Sequence, residues 1–201
     1  MTENDIVEAS FLASAQEVSS LPPPIGIEIA FAGRSNVGKS SLLNRLMARR
    51  SLVRTSSTPG CTRAINFFEA RARDGMRLTL VDLPGYGYAA RSRQEKLVWA
   101  KLIEHYLLER PTLAAVVVLV DIRRGLEKDD LDLLELLSEQ GPRSRPPTPV
   151  LVATKLDRVP RAQQAAAVQG LAKSTRKVIG FSTEMPETTN EVWRVLRHAI
   201  R

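Results

Sequence analysis

Gly33-Arg34-Ser35-Asn36-Val37-Gly38-Lys39-Ser40 has the spacing G-x-x-x-x-G-K-S, and the residues on either side decide what that spacing means. Upstream, Ile25 to Ala32 reads as a strand; downstream, Lys39 to Arg49 has the periodicity of a helix. A glycine turn between strand and helix lets the main chain wrap closely around phosphate, with several N–H groups and the positive helix end facing the anion. In that setting Lys39 is expected to neutralise β- and γ-phosphate charge. The Ser40 hydroxyl is placed to ligate a Mg2+ ion that bridges the phosphates.

Working outward, apolar runs alternate with helix-like segments. Ile65 to Ala72 and Leu78 to Leu83 read as strands, and Gln94 to Glu109 as a helix. Leu113 to Ile122 is a buried β-branched run, Lys128 to Glu139 a helix, and Val150 to Ala153 another buried strand. A helix is expected after Pro160 to about Ser174, a strand at Val178 to Phe181, and a last helix from about Glu187 to Ile200. This order predicts an α/β fold of three layers, with a mostly parallel sheet covered by helices on both faces. Residues 1–24 are polar and end in Leu21-Pro22-Pro23-Pro24, so they read as an N-terminal arm before a single domain over 25–201. The Pro-rich stretch Gly141 to Pro149 reads as a connector.

Ligands in such sheets bind beyond the carboxyl ends of the strands, and three further groups lie there. Asp82-Leu83-Pro84-Gly85 follows one strand: Asp82 is suited to hold the magnesium through its water, and the Gly85 N–H to sense a γ-phosphate. Thr154-Lys155-Leu156-Asp157 follows another. The Asp157 carboxylate can accept from both N1–H and N2–H of guanine, donors that adenine lacks in that arrangement, while Lys155 can lay its stem along the base. Taken alone, Lys155 and Asp157 also fit ordinary loop charges. The loop Phe181-Ser182-Thr183, after the last strand, can offer N–H groups to the guanine O6, and the four groups in this order imply a guanine nucleotide, GTP or GDP.

The chain has 201 residues, 43% hydrophobic and 25% charged, a composition that excludes a largely disordered or membrane-embedded protein. Leu113 to Val120 is too short to span a bilayer, and no signal-peptide pattern opens the chain, so a cytoplasmic location without membrane contact is expected. The single cysteine, Cys61, forms no internal disulfide, and His105 and His198 sit in helical patterns that give them no catalytic or metal role. A net charge of +7 and a pI of about 10.0 favour a polyanionic partner. With the arginines scattered singly, charge alone leaves nucleic-acid binding open in both directions.

Together these residues resemble the TRAFAC-class G proteins and, more narrowly, the EngB (YihA/YsxC) family of bacterial GTPases. The narrow match rests on Gly33 to Asn44, on Thr58-Pro59-Gly60-Cys61-Thr62, on Asn66-Phe67-Phe68 and on Asp82-Leu83-Pro84-Gly85-Tyr86-Gly87-Tyr88-Ala89, and extends to Phe11 to Ala15. The resemblance implies a six-stranded sheet with one antiparallel edge strand, the one starting near Ile65. It further implies GTP hydrolysis as a molecular switch in assembly of the large ribosomal subunit, with a link to cell division and septation; a division-site regulator acting through protein partners is the other reading. A monomer is expected. By position, Thr62 would complete the magnesium shell with Ser40 and Asp82, making Lys39, Thr62 and Gly85 the catalytic group.

The nucleotide would lie against Gly33 to Ser41, Gly60, Cys61, Thr62, Arg63, Ala64 and Asp82 to Gly85. Cys61 stands where the family usually has a basic residue, and Thr183 where a smaller one is commoner. Tyr86 occupies the place of the water-orienting Gln of many G proteins, which implies slow intrinsic hydrolysis. Asn36 matches an Asn that binds K+ in related G proteins; its other reading is a brace for the glycine turn.

Overall fold

The computed structural model describes residues 6–53, 64–86, 93–139, 145–172 and 178–200. Strands are β1 (Ile6–Ala15), β2 (Glu28–Gly33), β3 (Ile65–Ala72), β4 (Arg77–Asp82), β5 (Leu113–Asp121), β6 (Thr148–Thr154) and β7 (Val178–Gly180). Helices are α1 (Lys39–Leu46), α2 (Arg93–Glu109), α3 (Lys128–Ser138), α4 (Arg161–Leu171) and α5 (Glu187–Ala199). The sheet order is β1-β3-β4-β2-β5-β6-β7, with β4, β2, β5, β6 and β7 parallel and β3 antiparallel to both its neighbours.

The α/β reading therefore holds, with a correction at one edge: seven strands, not six. The segment read as an arm supplies the seventh, and the strand from Ile65 lies one place in from the margin. The reason is physical. Along β1 only Ile6 and Ala15 are buried, while Phe11 and Leu12 stand in solvent, so no alternation marks the strand. Register shifts fall between Ile6 and Glu8 and between Phe11 and Ala13, which breaks the period further.

Burial on both faces explains why the central strands are apolar throughout. In β5, Ala115, Val117 and Leu119 point into one core with Leu42, Leu43 and Leu46 of α1 and Val192, Trp193 and Leu196 of α5. Val116, Val118 and Val120 point into the opposite core with Leu102, Tyr106 and Leu107 of α2 and Leu137 of α3. The Trp193 indole N–H donates to the Leu46 carbonyl at 3.1 Å, closing one of the open carbonyls at the end of α1. Beneath the sheet, Arg110 and Glu28 form a buried ion pair at 2.6 Å, and the guanidinium also donates to the carbonyls of Pro22 and Pro23. These bonds fasten the proline run to the core.

Candidate nucleotide-binding site

Gly33, the last residue of β2, has no room for a side chain. A Cβ would stand 2.9 Å from the Leu119 carbonyl oxygen and 2.9 Å from a Val37 methyl. Gly33→Ala is therefore expected to cost about 1–3 kcal/mol by overpacking β2 against β5. A denaturant midpoint equal to that of the wild type would show that the two strands can part without loss.

The turn then passes through two left-handed residues, Asn36 at φ +63° and Gly38 at φ +107°. Asparagine tolerates that region and glycine is indifferent to it, so the chain can reverse here. Gly38 is the cap residue before α1, its carbonyl accepting from the Leu42 N–H at 3.0 Å. The N–H groups of Lys39, Ser40 and Ser41 precede that first helical bond and project from the positive end of the helix. This is the cradle expected for phosphate.

Lys39 and Asp82 are almost fully buried, and the ammonium is ion-paired with the carboxylate. The residue expected to meet phosphate and the residue expected to hold the metal thus neutralise each other across the mouth of the turn. Gly85 lies against the turn as well, a Cβ there standing 3.2 Å from Ser35 Oγ. Tyr86 follows; its carbonyl accepts the Ser35 N–H at 3.2 Å, and its phenol donates to Asp130 at 2.6 Å. Burial, then the bond to Asp130, pushes the phenol far above its ordinary value, so it stays protonated. The side chain in the Gln position is thus committed to the start of α3. Arg34, expected beside the nucleotide, contributes its backbone to the turn while its guanidinium pairs with Glu127 at 2.9 Å and Asp129 at 3.1 Å.

At the other end, the Thr154 hydroxyl lies 2.7 Å from the Val37 carbonyl oxygen and 3.2 Å from that of Val120, and so ties β6 to the phosphate turn. Lys155, left-handed at φ +60°, sends its ammonium back to the Asn36 carbonyl at 3.0 Å. Leu156 is buried, its N–H donating to the Phe181 carbonyl at 3.1 Å. Asp157 accepts the Ser182 hydroxyl at 2.6 Å, which orients the carboxylate.

The loop after β7 differs from expectation in which N–H groups it can offer. That of Phe181 donates to the Ala153 carbonyl at 2.8 Å and that of Ser182 to the Thr188 hydroxyl at 3.2 Å. The Thr183 carbonyl is held by Arg45 of α1 at 2.8 Å. Arg45 went unread in the sequence because a single arginine on a helix carries no signal. Asp121 was also missed, although its place at the end of β5 on the ligand edge marked it. Gly60, Cys61, Thr62 and Arg63 lie outside the described residues, and buried Ala64 leads directly into β3.

A G-x-x-x-x-G-K-S turn between strand and helix, at the carboxyl ends of the strands of one doubly covered sheet, is the architecture of P-loop nucleotide-binding proteins. A family model described as 50S ribosome-binding GTPase matches residues 28–155. A relative named "Probable GTP-binding protein EngB" from Desulforapulum autotrophicum is 41% identical over 195 residues, covering 95% of this chain and 96% of the relative. Another of that name from Trichlorobacter lovleyi is 43% identical over 199 residues, covering 97% and 96%. A crystal structure described as a probable GTP-binding protein engB superposes with a TM-score of 0.62 at 21% identity, covering 87% of this chain and 98% of that one. The chain belongs to the EngB family of GTP-binding proteins, and it binds and hydrolyses GTP. Among the described residues no helix is long and apolar enough to cross a membrane.

Proposed function

We propose that this GTPase is a switch in assembly of the large ribosomal subunit, docking on a precursor particle through its basic surface. The observation that carries this reading is the match to a ribosome-binding family over the span that holds the phosphate turn and base motif, joined to a net charge of +7. Salt should weaken such docking steeply, since each phosphate neutralised releases counterions. The test is co-sedimentation of the purified protein with large-subunit precursors in GTP-analogue and GDP forms. Retention in one nucleotide state only supports the switch; identical behaviour in both, or septal localisation with no rRNA crosslinks, favours the division-site regulator instead.

The nucleotide reading assigns the phosphates to the turn Gly33 to Ser41 and the base to Thr154, Lys155, Asp157 and Thr183. A Mg2+ ion suits Ser40 and Asp82: both donors are hard oxygens, and this metal is commonly shared between one or two side chains and substrate phosphates. When bound, it supplies charge neutralisation across the β- and γ-phosphates. Lys39, released from Asp82, turns to the phosphates, and the Gly85 N–H senses the γ-phosphate. Thr62 is assigned to the same shell by its place in the motif.

With the Tyr86 phenol held on Asp130, charge stabilisation has to come from elsewhere, and K+ bound at Asn36 is one supplier. The expected result is faster turnover in KCl than in NaCl, by on the order of tenfold or more, with the difference lost in Asn36→Ala. Equal rates in the two salts would remove potassium and leave Asn36 as a brace, a role its left-handed backbone already fits.

A further inference from the structure

The Asp121 carboxylate, at the end of β5, is 7% exposed and surrounded by donors. Lys155 Nζ lies 3.0 Å from Oδ2, and Arg123 donates through Nη2 at 2.7 Å, Nε at 3.0 Å and its backbone N–H at 3.1 Å. The main chain under it is equally fixed. The Asp121 carbonyl accepts from the N–H groups of Arg124 and Gly125, and the Ile122 N–H donates to the Thr154 carbonyl at 3.1 Å.

Lys155 is thus held at both ends. Its backbone is left-handed, and its ammonium is shared between the Asp121 carboxylate and the Asn36 carbonyl of the phosphate turn. A lysine stem is among the most mobile side chains, and a flat base gains little from a platform it must first order. We infer that Asp121 is a positioning residue for guanine-nucleotide binding: it locks the Lys155 ammonium onto the phosphate turn, so that the methylene stem is laid out for the base before nucleotide arrives. The inference rests on the assignment of the base to Lys155 and Asp157 made above. Hydrogen bonds from Arg123, then the lysine, hold the Asp121 carboxyl well below the usual carboxylate range, so the lock stays charged through the physiological range. Arg123, its side chain half exposed, steers the carboxylate.

The experiment is a double-mutant cycle on the full chain, read as affinity for GDP and GTP by calorimetry and as KM and kcat for GTP. Asp121→Asn is expected to weaken both nucleotides alike by roughly tenfold, the scale of one charge-assisted hydrogen bond, with the loss falling on KM far more than on kcat. Lys155→Met is expected to weaken them at least as much. In the Lys155→Met background Asp121→Asn should add little, because its route of action is already gone. Asp121→Glu, which keeps the charge, should recover part of the affinity, and covers the case in which the asparagine variant folds poorly. Unchanged affinity in Asp121→Asn, or an equal loss with and without Lys155, overturns the inference while leaving the base assignment standing. Unchanged affinity in Lys155→Met, which loses the ammonium but keeps an unbranched apolar stem, likewise overturns the inference, whereas the base assignment is tested separately at Asp157.

Discussion

Asp157→Asn is expected to weaken GDP and GTP binding by about 10²- to 10³-fold and to gain nothing for ATP. The argument starts from the Ser182 hydroxyl, which donates to Asp157 Oδ1 at 2.6 Å. An asparagine would keep its carbonyl oxygen toward that donor, which leaves its amide NH2 where the second carboxylate oxygen stood. Guanine offers N1–H and N2–H on this edge, so donor would meet donor. Each charge-assisted bond is worth about 1.5–3 kcal/mol, and every 1.4 kcal/mol is about tenfold in affinity. Xanthine carries a carbonyl in place of the 2-amino group and can accept from the new amide, so xanthosine diphosphate should gain what GDP loses. Calorimetry with GDP, xanthosine diphosphate and ADP decides it; undiminished GDP binding would remove Asp157 from base recognition.

The second large effect lies far from the nucleotide. Glu28 is 1% and Arg110 7% exposed; the guanidinium meets both carboxylate oxygens, and the Tyr106 phenol donates to Oε2 at 2.8 Å. Arg110 also lies over the Phe67 ring at 5.7 Å. Arg110→Ala leaves a buried carboxylate without its cation, a change that costs about 3–5 kcal/mol, a large share of the roughly 5–15 kcal/mol that holds a domain folded. Urea denaturation should show a large fall in midpoint. Replacing both partners with apolar residues of similar volume should restore much of it, because the penalty comes from stranding one charge rather than from losing a strong attraction. A single variant as stable as the wild type would mean that water reaches Glu28.

These contrasts mark what could be read in the chain beforehand. The strand at Ile65–Ala72 and the start of α1 at Lys39 were legible because apolar patterning and the glycine turn are local signals. The position of Thr154 to Asp157 at the end of a strand was legible for the same reason, since a buried run leads into them. What stayed hidden depends on partners far along the chain. Arg110 reads as the tail of a helix until Glu28 and the prolines close around it. Nothing in the sequence announces the pairing of Asp121 with Lys155, or the bond from the Phe181 N–H to the Ala153 carbonyl. Tyr86 is expected from its chemistry not to act as a glutamine. Its hold on Asp130, which also caps α3 by accepting the Glu127 N–H at 2.9 Å, needed the fold.

The margin formed by Ile6–Ala15 is a poor template for a further strand. Straight, regular strand borders recruit further strands and seed aggregates, whereas this one changes step twice within ten residues, so an incoming chain could zip along only a short stretch before falling out of phase. Stripped of that selvage, the sheet would instead offer Ile65–Ala72, whose pairing with β4 runs without a single irregularity, and the protein would become adhesive along that side.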